Sequence, residues 1–497
     1  MLIVIYDALS ARNMSLYGYG RPTTPNIDRL AERAVVFHNH LAPAPWTGSS
    51  TASLLTGTLP WTHRAFSFQQ GVEPGSAEQN LFHAFPAHYR LAYSHNPFVY
   101  PMLKQFRASL DEYIPIEALY RSYDHLSTSL FEDDADLFSL AWRRTTKQGL
   151  NGGYSYSLLL PEFLRRQRSI RLARVQPSFP EGLPTMRGDD AFVLEEATDF
   201  LAARVRQVRR PFLGYFHFLP PHDPYRPRLG FHDAFLGDGF RTPQKPLHAF
   251  ADIEGRAGEY IFINGLPVAL PPAGPARAPA GTMTEARLED LRQRYDEFVL
   301  EADSEFGRLF RGLDESGILE DTWLVLTSDH GELFERGIWG HTQRTLFQPV
   351  VHIPLLFFEP GRSDRRDVYE PTSTIDLLPT LIEVAGGEPA SWAEGAVLPP
   401  FAAAPPRPDR SLYSMWTAEN RRDRALQRGT VAVTRGPHKI VWYGAYPSLD
   451  GKERVEVFDL EADPEESRDL AAAQPTWGAD LLDELKTKLQ EVNRPYL

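Results

Sequence analysis

The chain contains no cysteine in its 497 residues, which excludes disulfides, thiolate metal sites and cysteine nucleophiles together. It also lacks any run near the ~18 consecutive apolar residues that a membrane-spanning helix needs. No basic start, apolar core and small-residue cleavage site combine into a signal peptide. The short apolar run Leu2-Ile3-Val4-Ile5-Tyr6 ends in Asp7 and reads as a strand. The cytoplasm is therefore the default compartment, with export compatible with a longer native N-terminus. Basic residues are in deficit, 52 Lys and Arg against 65 Asp and Glu, for a net charge of −13. General affinity for nucleic acid or anionic membrane is not expected of such a surface. A locally positive pocket for a small anionic substrate remains compatible with it. Nothing in the sequence points to a particular oligomeric state.

What is present is ordinary globular material, 42% hydrophobic and 24% charged, long enough for one large α/β domain and a smaller one. Leu2 to Tyr6 is rich in β-branched residues, the mark of a strand buried on both faces. Similar runs lie at 89–94, 212–218 and 323–328, with a helical pattern over 190–209 and a long amphipathic one over 283–316. Strands separated by helices predict a mostly parallel central sheet with helices on both faces. A short helical stretch is expected over 51–55, stopped at Gly57. Residues 100–190 read as a helical insertion, and the Pro- and Ala-rich 264–281 as a surface loop. The catalytic domain is placed at 1–385, a Pro/Ala/Gly-rich linker at 386–410 and an α+β subdomain at 411–497, with strands at 429–434, 439–442 and 454–459. No internal repeat is visible.

Asp7 and Asp329 each stand just past the end of a buried strand, the edge where open parallel sheets bind ligands. Asp329 is followed by His330, so a hard oxygen and an imidazole nitrogen are offered together. That pairing suits Mn²⁺ or Zn²⁺ and tolerates Mg²⁺ or Ca²⁺. A lone Asp after a strand is more commonly a helix cap. Thr47, in Pro45-Trp46-Thr47-Gly48-Ser49-Ser50-Thr51, sits beside a helix start, where backbone N–H groups favour an anion. A Ser/Thr-rich N-cap is the plainer reading of that segment.

Taken in order, the strand ending in Asp7, Tyr17-Gly18-Tyr19, Thr24-Pro25-Asn26-Ile27-Asp28 and Leu55-Thr56-Gly57 resemble the opening of a sulfatase. His222-Asp223-Pro224-Tyr225, Ser328-Asp329-His330-Gly331-Glu332, Asp376-Leu377-Leu378-Pro379-Thr380 and Phe458-Asp459-Leu460-Glu461-Ala462-Asp463-Pro464-Glu465-Glu466 continue the likeness over nearly the whole chain. The resemblance implies an alkaline-phosphatase-like fold with a C-terminal subdomain. It also implies a divalent metal held by Asp7, Asp329 and His330, with one site favoured over two. Thr47 falls at the family's nucleophile position and would face the same metal. His222 and His341, the latter in Trp339-Gly340-His341, fall where relatives hold the substrate oxyanion or a second metal.

The pattern also breaks. A sulfatase carries Cys or Ser at the nucleophile, matured to formylglycine, followed by Pro and Arg; here the three positions hold Thr47, Ser49 and Thr51. Formylglycine maturation is therefore not expected. A hydrated aldehyde expels sulfate by collapsing to its carbonyl, whereas a threonine adduct must be opened at its central atom. Threonine serves phosphorus-handling branches of the superfamily, which favours phosphate or phosphonate esters. The second acidic residue of many sulfatases is Ala8 here, which fits a single-metal Asp-Thr-Asp-His site. The expected chemistry is attack by Thr47 Oγ on phosphorus, with His222 and His341 stabilising charge on the oxygens or acting as general acid. Asn96 reads as a turn residue that could touch substrate, and His95 and His217 as core or surface histidines. Glu332 reads as a backbone cap and the basic run 165–174 as a solvated helix face. The competing readings are a phosphoryl transferase, a sulfatase without formylglycine and a non-catalytic anion-binding protein. The first usually carries N-terminal membrane spans, and the last has no need to keep all four site residues.

Overall fold

A strand buried on both faces needs an apolar side chain at every position, and Leu2–Tyr6 supplies five. Leu2, Val4 and Tyr6 enter one core; Ile3 and Ile5 enter another on the opposite face. The computed structural model describes residues 1–67, 70–114, 173–184, 193–248, 283–403, 409–418, 420–444 and 451–497, isolated residues between them, and the backbone of a hairpin at Tyr260–Ile263 and Leu266–Ala269. Most of the insertion expected over 100–190, most of the basic run 165–174 and most of the loop 264–281 lie outside the described residues.

Leu2–Tyr6 is central in an eight-stranded sheet. It pairs in parallel with Phe212–Phe218 on one side and Leu324–Thr327 on the other. Tyr89–Ser94 and then Glu112–Ile114 extend the first side, both in parallel. On the second side Leu355–Phe358 runs antiparallel to both of its neighbours, Leu324–Thr327 and Val35–Phe37, and Arg366–Val368 closes the edge in parallel. The sheet is thus mostly parallel with helices on both faces, as expected. Tyr100–Gln105 and Glu112–Ile114, inside the stretch read as an insertion, belong to these core layers.

One face is covered by Glu285–Glu315, whose Leu288, Leu291, Tyr295, Phe298, Ala302, Phe306, Leu309 and Leu313 recur at three- and four-residue spacing and form one buried stripe. Thr284 caps its start by accepting from Arg287 N–H at 3.3 Å. This helix also carries buried acids. Asp296 accepts from Asn13 (2.9 Å), Tyr19 (2.7 Å) and Arg21 (2.8 Å), and Asp303 from the backbone of Asn26 and Ile27 (3.0 and 2.7 Å). The loop that follows the first strand is thereby tied to the helix.

The other face is covered by Thr47–Thr56, Tyr100–Gln105 and Leu377–Val384. Thr47–Thr56 begins four residues before the expected start and is buried at all ten positions. It ends at Gly57, whose φ of +68° is the left-handed conformation that glycine adopts without a Cβ penalty. Residues of the stretch read as a linker bind this end: Trp392 Nε1 donates to Thr56 O at 3.1 Å, and Leu59 N–H to Glu394 Oε2 at 2.6 Å.

Beyond residue 409, Leu412–Trp416, Gly429–Arg435, His438–Gly444 and Arg454–Asp459 form an antiparallel sheet. The first strand was not foreseen. Helix Thr476–Asn493 packs on one face through Leu481 and Leu485. The other face contributes Trp416, Val441 and Phe458 to a cluster with Trp46, Phe347 and Val351. A buried ion pair of the C-terminal sheet's subdomain ties it across this junction by hydrogen bonds. Lys439 Nζ donates to Glu466 Oε1 and Leu346 O, both at 2.6 Å, and Glu466 Oε2 accepts from Gln348 N–H at 2.7 Å.

Two predictions follow from these buried charges. Lys439→Met leaves Glu466 desolvated and unpaired, so it destabilises by about 3–5 kcal/mol, read as a lower urea midpoint; adding Glu466→Gln restores part of the loss. Burial pushes Glu301 up to about 7, and Asp296 and Asp303 up to about 6. Each then holds its proton in the folded chain at a pH where the unfolded chain has lost it. Their contribution to stability is full below the unfolded carboxylate range and is lost as pH rises through 6 to 7. Melting temperature measured across this window should fall with pH, and Glu301→Gln should flatten the slope.

Candidate active site

Two strand ends and one helix start converge on a single point. Asp7 follows Leu2–Tyr6, Asp329 and His330 follow Leu324–Thr327, and Thr47 opens its helix. Ser328 stitches the two strand ends, its Oγ donating to Tyr6 O at 2.8 Å and accepting from Leu9 N–H at 2.9 Å. Asp7, Asp329 and His330 are fully buried and Thr47 nearly so.

Each carboxylate has one oxygen satisfied by the protein and one left open. Asp329 Oδ1 accepts from the backbone N–H of Ala8 (3.2 Å) and His330 (3.0 Å), whereas its Oδ2 is buried without a hydrogen-bond partner. Asp7 Oδ2 accepts from Asn96 Nδ2 and from His217 Nε2 at 3.1 Å; its Oδ1 has no such partner. His330 Nδ1 donates to Gly331 O at 2.9 Å, which leaves the lone pair on Nε2. That nitrogen is 3.5 Å from both open oxygens and 3.2 Å from Thr47 Oγ1. Two open carboxylate oxygens and an imidazole lone pair, all within 4.8 Å of one another, are a donor set that fits a divalent cation.

The other two expected residues stand beside this centre. The His341 ring stacks on His330 with centroids 4.4 Å apart, and His222 meets His341 edge-on at 4.6 Å. His222 Nδ1 is fixed by Asp223 O at 2.7 Å. His341 Nδ1 is fixed by Glu332, 2.9 Å from Oε1, so Glu332 orients an imidazole rather than capping backbone. The first-turn N–H groups of the Thr47 helix have no acceptor within the helix and add positive character.

The charges interact as the burial demands. Burial alone would raise Asp7, but the imidazoles of His222, His217 and His330 outweigh it and hold the carboxyl well below its usual range. Burial alone would lower His222, yet Asp223, Asp7 and Glu332 hold it well above the usual imidazole value. His330 is lowered by burial, which favours the neutral ligand form. His95 is likewise lowered by burial, and its Nδ1 accepts from Leu219 N–H at 3.2 Å, a core role.

Two residues carry more than the sequence suggested. Asn96, read first as a turn residue, donates from Nδ2 to both Asp7 and Thr47, the latter at 3.3 Å. His217, read as a core or surface histidine, is in the core and also contacts Asp7. The available signal was strand position: Asn96 lies just past Tyr89–Ser94, on the same sheet edge as Asp7 and Asp329.

The sequence model of the sulfatase family matches residues 1–387. The multifunctional alkaline phosphatase superfamily protein PehA of Trinickia caryophylli is 25% identical, across 93% of this chain and 87% of its own length. Choline-sulfatase of Rhizobium meliloti is 24% identical, across 95% and 82%. The structure of the phosphonate monoester hydrolase of Agrobacterium radiobacter superposes with a TM-score of 0.66 at 20% identity, covering 100% of this chain and 95% of the other. With this match extending over most of its length, the chain belongs to the sulfatase family of ester-bond hydrolases.

Proposed function

We propose that the protein is a metal-dependent hydrolase of phosphate or phosphonate esters that works through a covalent intermediate on Thr47. The observation that carries this reading is the Thr47 hydroxyl, 3.2 Å from His330 Nε2 and bonded by Asn96, beside two buried carboxylates with open oxygens. Asp7, Asp329, His330 and Thr47 would hold the cation, Mn²⁺ or Zn²⁺ being favoured by the mixed oxygen and nitrogen donors. When bound, such a cation supplies Lewis acidity that lowers the pKa of a hydroxyl and screens an incoming anion.

Thr47 Oγ forms a bond to phosphorus as the ester P–O bond breaks, giving phosphothreonine and an alcohol. Asn96 Nδ2 holds the hydroxyl and Asp7 in one arrangement throughout. The Thr47 hydroxyl proton passes to solvent. His222 and His341, both with Nδ1 fixed, present Nε2 to the non-bridging and leaving oxygens, and one of them, entering the step protonated, gives that proton to the departing alkoxide. Water then opens the phosphothreonine. A threonine adduct has no carbonyl to collapse to, which favours phosphorus over sulfur. Likeness to a phosphonate monoester hydrolase supports the same choice. Sulfuric esters are the second reading, favoured by the family match itself.

The test uses nitrophenyl phosphate monoesters and diesters, a phenylphosphonate and a sulfate, each with Mn²⁺, Zn²⁺, Mg²⁺ or Ca²⁺. Phosphorus-ester turnover should require metal, fall by at least ~10³-fold in Thr47→Ala, and leave phosphate on the Thr47 peptide by mass spectrometry. Undiminished turnover in Thr47→Ala would overturn the nucleophile, and faster sulfate turnover would install the second reading. In the same assay Asn96→Ala should lower kcat by about 10²–10³-fold, with KM less affected.

A further inference from the structure

We propose that His217 is a positioning residue for Asp7, turning one oxygen of that carboxylate away from the protein and toward the cation. The inference rests on the metal-dependent reading above and asks which group gives Asp7 its orientation.

Pleat geometry sets up the contact. His217 is paired with Ile5 across the parallel ladder, and residues two apart on a strand share a face. His217 therefore projects to the side on which Asp7 emerges two residues beyond Ile5. Tyr215, two residues earlier on its own strand, lies on that face as well. The three form a line: Tyr215 OH is 3.0 Å from His217 Nδ1, and His217 Nε2 is 3.1 Å from Asp7 Oδ2. With the tyrosine hydroxyl donating to Nδ1, the imidazole proton sits on Nε2 and is given to Asp7. Asn96 Nδ2 reaches the same oxygen. Oδ2 is thus held by two donors, and Oδ1, 3.5 Å from His330 Nε2, stays open.

The strand around it is Phe-Leu-Gly-Tyr-Phe-His-Phe, buried at all seven positions. An apolar side chain would fill that place without desolvating a ring nitrogen. Metal-bound carboxylates are commonly oriented by such outer hydrogen bonds.

The test compares His217→Gln, which keeps an N–H donor, with His217→Met, which keeps similar volume without one. Tyr215→Phe and Asp329→Asn complete the set. Mn²⁺ binding to chelator-stripped protein is measured by calorimetry, and melting of the metal-free forms confirms folding. His217→Met should weaken Mn²⁺ binding by about 10–100-fold and His217→Gln should recover most of it. Tyr215→Phe should give a smaller loss, and Asp329→Asn should abolish binding. If His217→Met binds Mn²⁺ like wild type while Asp329→Asn does not, His217 only fills the core and the proposed function stands. If Asp329→Asn also binds normally, the metal reading falls and this inference with it. Should His217→Met fail to fold, equal Mn²⁺ affinity in wild type and Tyr215→Phe, together with a His217→Gln loss as large as that of Asp329→Asn, overturns the role.

Discussion

Two carboxylates, Asp7 and Asp329, are brought side by side in the fully buried interior, and their mutual repulsion is the constraint to which the surroundings answer. Isolated buried charges of one sign are too costly to persist without compensation. Among the described residues, the groups at ion-pair distance from them are histidines: His217 and His330. A lysine or arginine would neutralise the pair permanently and fill the space between. Imidazoles, each pinned through one nitrogen to Tyr215 OH or Gly331 O, leave one oxygen of each carboxylate without a hydrogen-bond partner.

That arrangement needs a rigid frame, because both carboxylates stand on loops just past strand ends. The parallel pairing of Leu2–Tyr6 with Leu324–Thr327 fixes their separation, and Ser328 bonds the two strand ends together. From above, Glu285–Glu315 holds the continuing loop through Tyr295 and the buried acids Asp296 and Asp303. Burial raises both carboxyls above the usual carboxylate range, so these anchors favour folding less at neutral pH than in acid. From the opposite side, the C-terminal sheet packs on Trp46, the residue preceding Thr47. The small sheet, remote in sequence, thus bears on the start of the Thr47 helix.

Much of this was legible in the sequence, and for a physical reason. A strand buried on both faces must be a continuous apolar run, so Leu2–Tyr6, Phe212–Phe218 and Leu324–Thr327 stand out, and the acids at their ends come with them. The motifs shared with sulfatases were legible as motifs but not as roles. Asn26 and Ile27 bind Asp303, Asp376 accepts from Ser373 N–H at 2.9 Å, and Glu466 pairs with Lys439. These are scaffold contacts: the first spans more than 270 residues, the second closes a local capping box, and the third joins neighbouring parts of the C-terminal subdomain. Asn96 and His217 were underrated because no local pattern announces a partner as distant as Asp7. An Asn before proline is good turn chemistry, and a histidine within an aromatic strand looks like filler. What raises them is register, which brings His217 to Asp7 and places Asn96 at the next strand end.

Ala8 brings these threads to one residue. It stands where many sulfatases carry a second acidic residue, and its φ of +59° lies in the left-handed region. Asp and Asn tolerate that region better than other non-glycine residues, whereas for alanine it costs on the order of 1–2 kcal/mol. The conformation persists because both sides of the residue are committed: its N–H donates to Asp329 Oδ1 at 3.2 Å, and its carbonyl accepts from Tyr295 OH at 2.6 Å. The backbone at this position is therefore part of the carboxylate frame whatever the side chain. An alanine at this position adds no negative charge to the buried interior and keeps the turn that orients Asp329. A site with two carboxylates and His330 is less anionic than one with three.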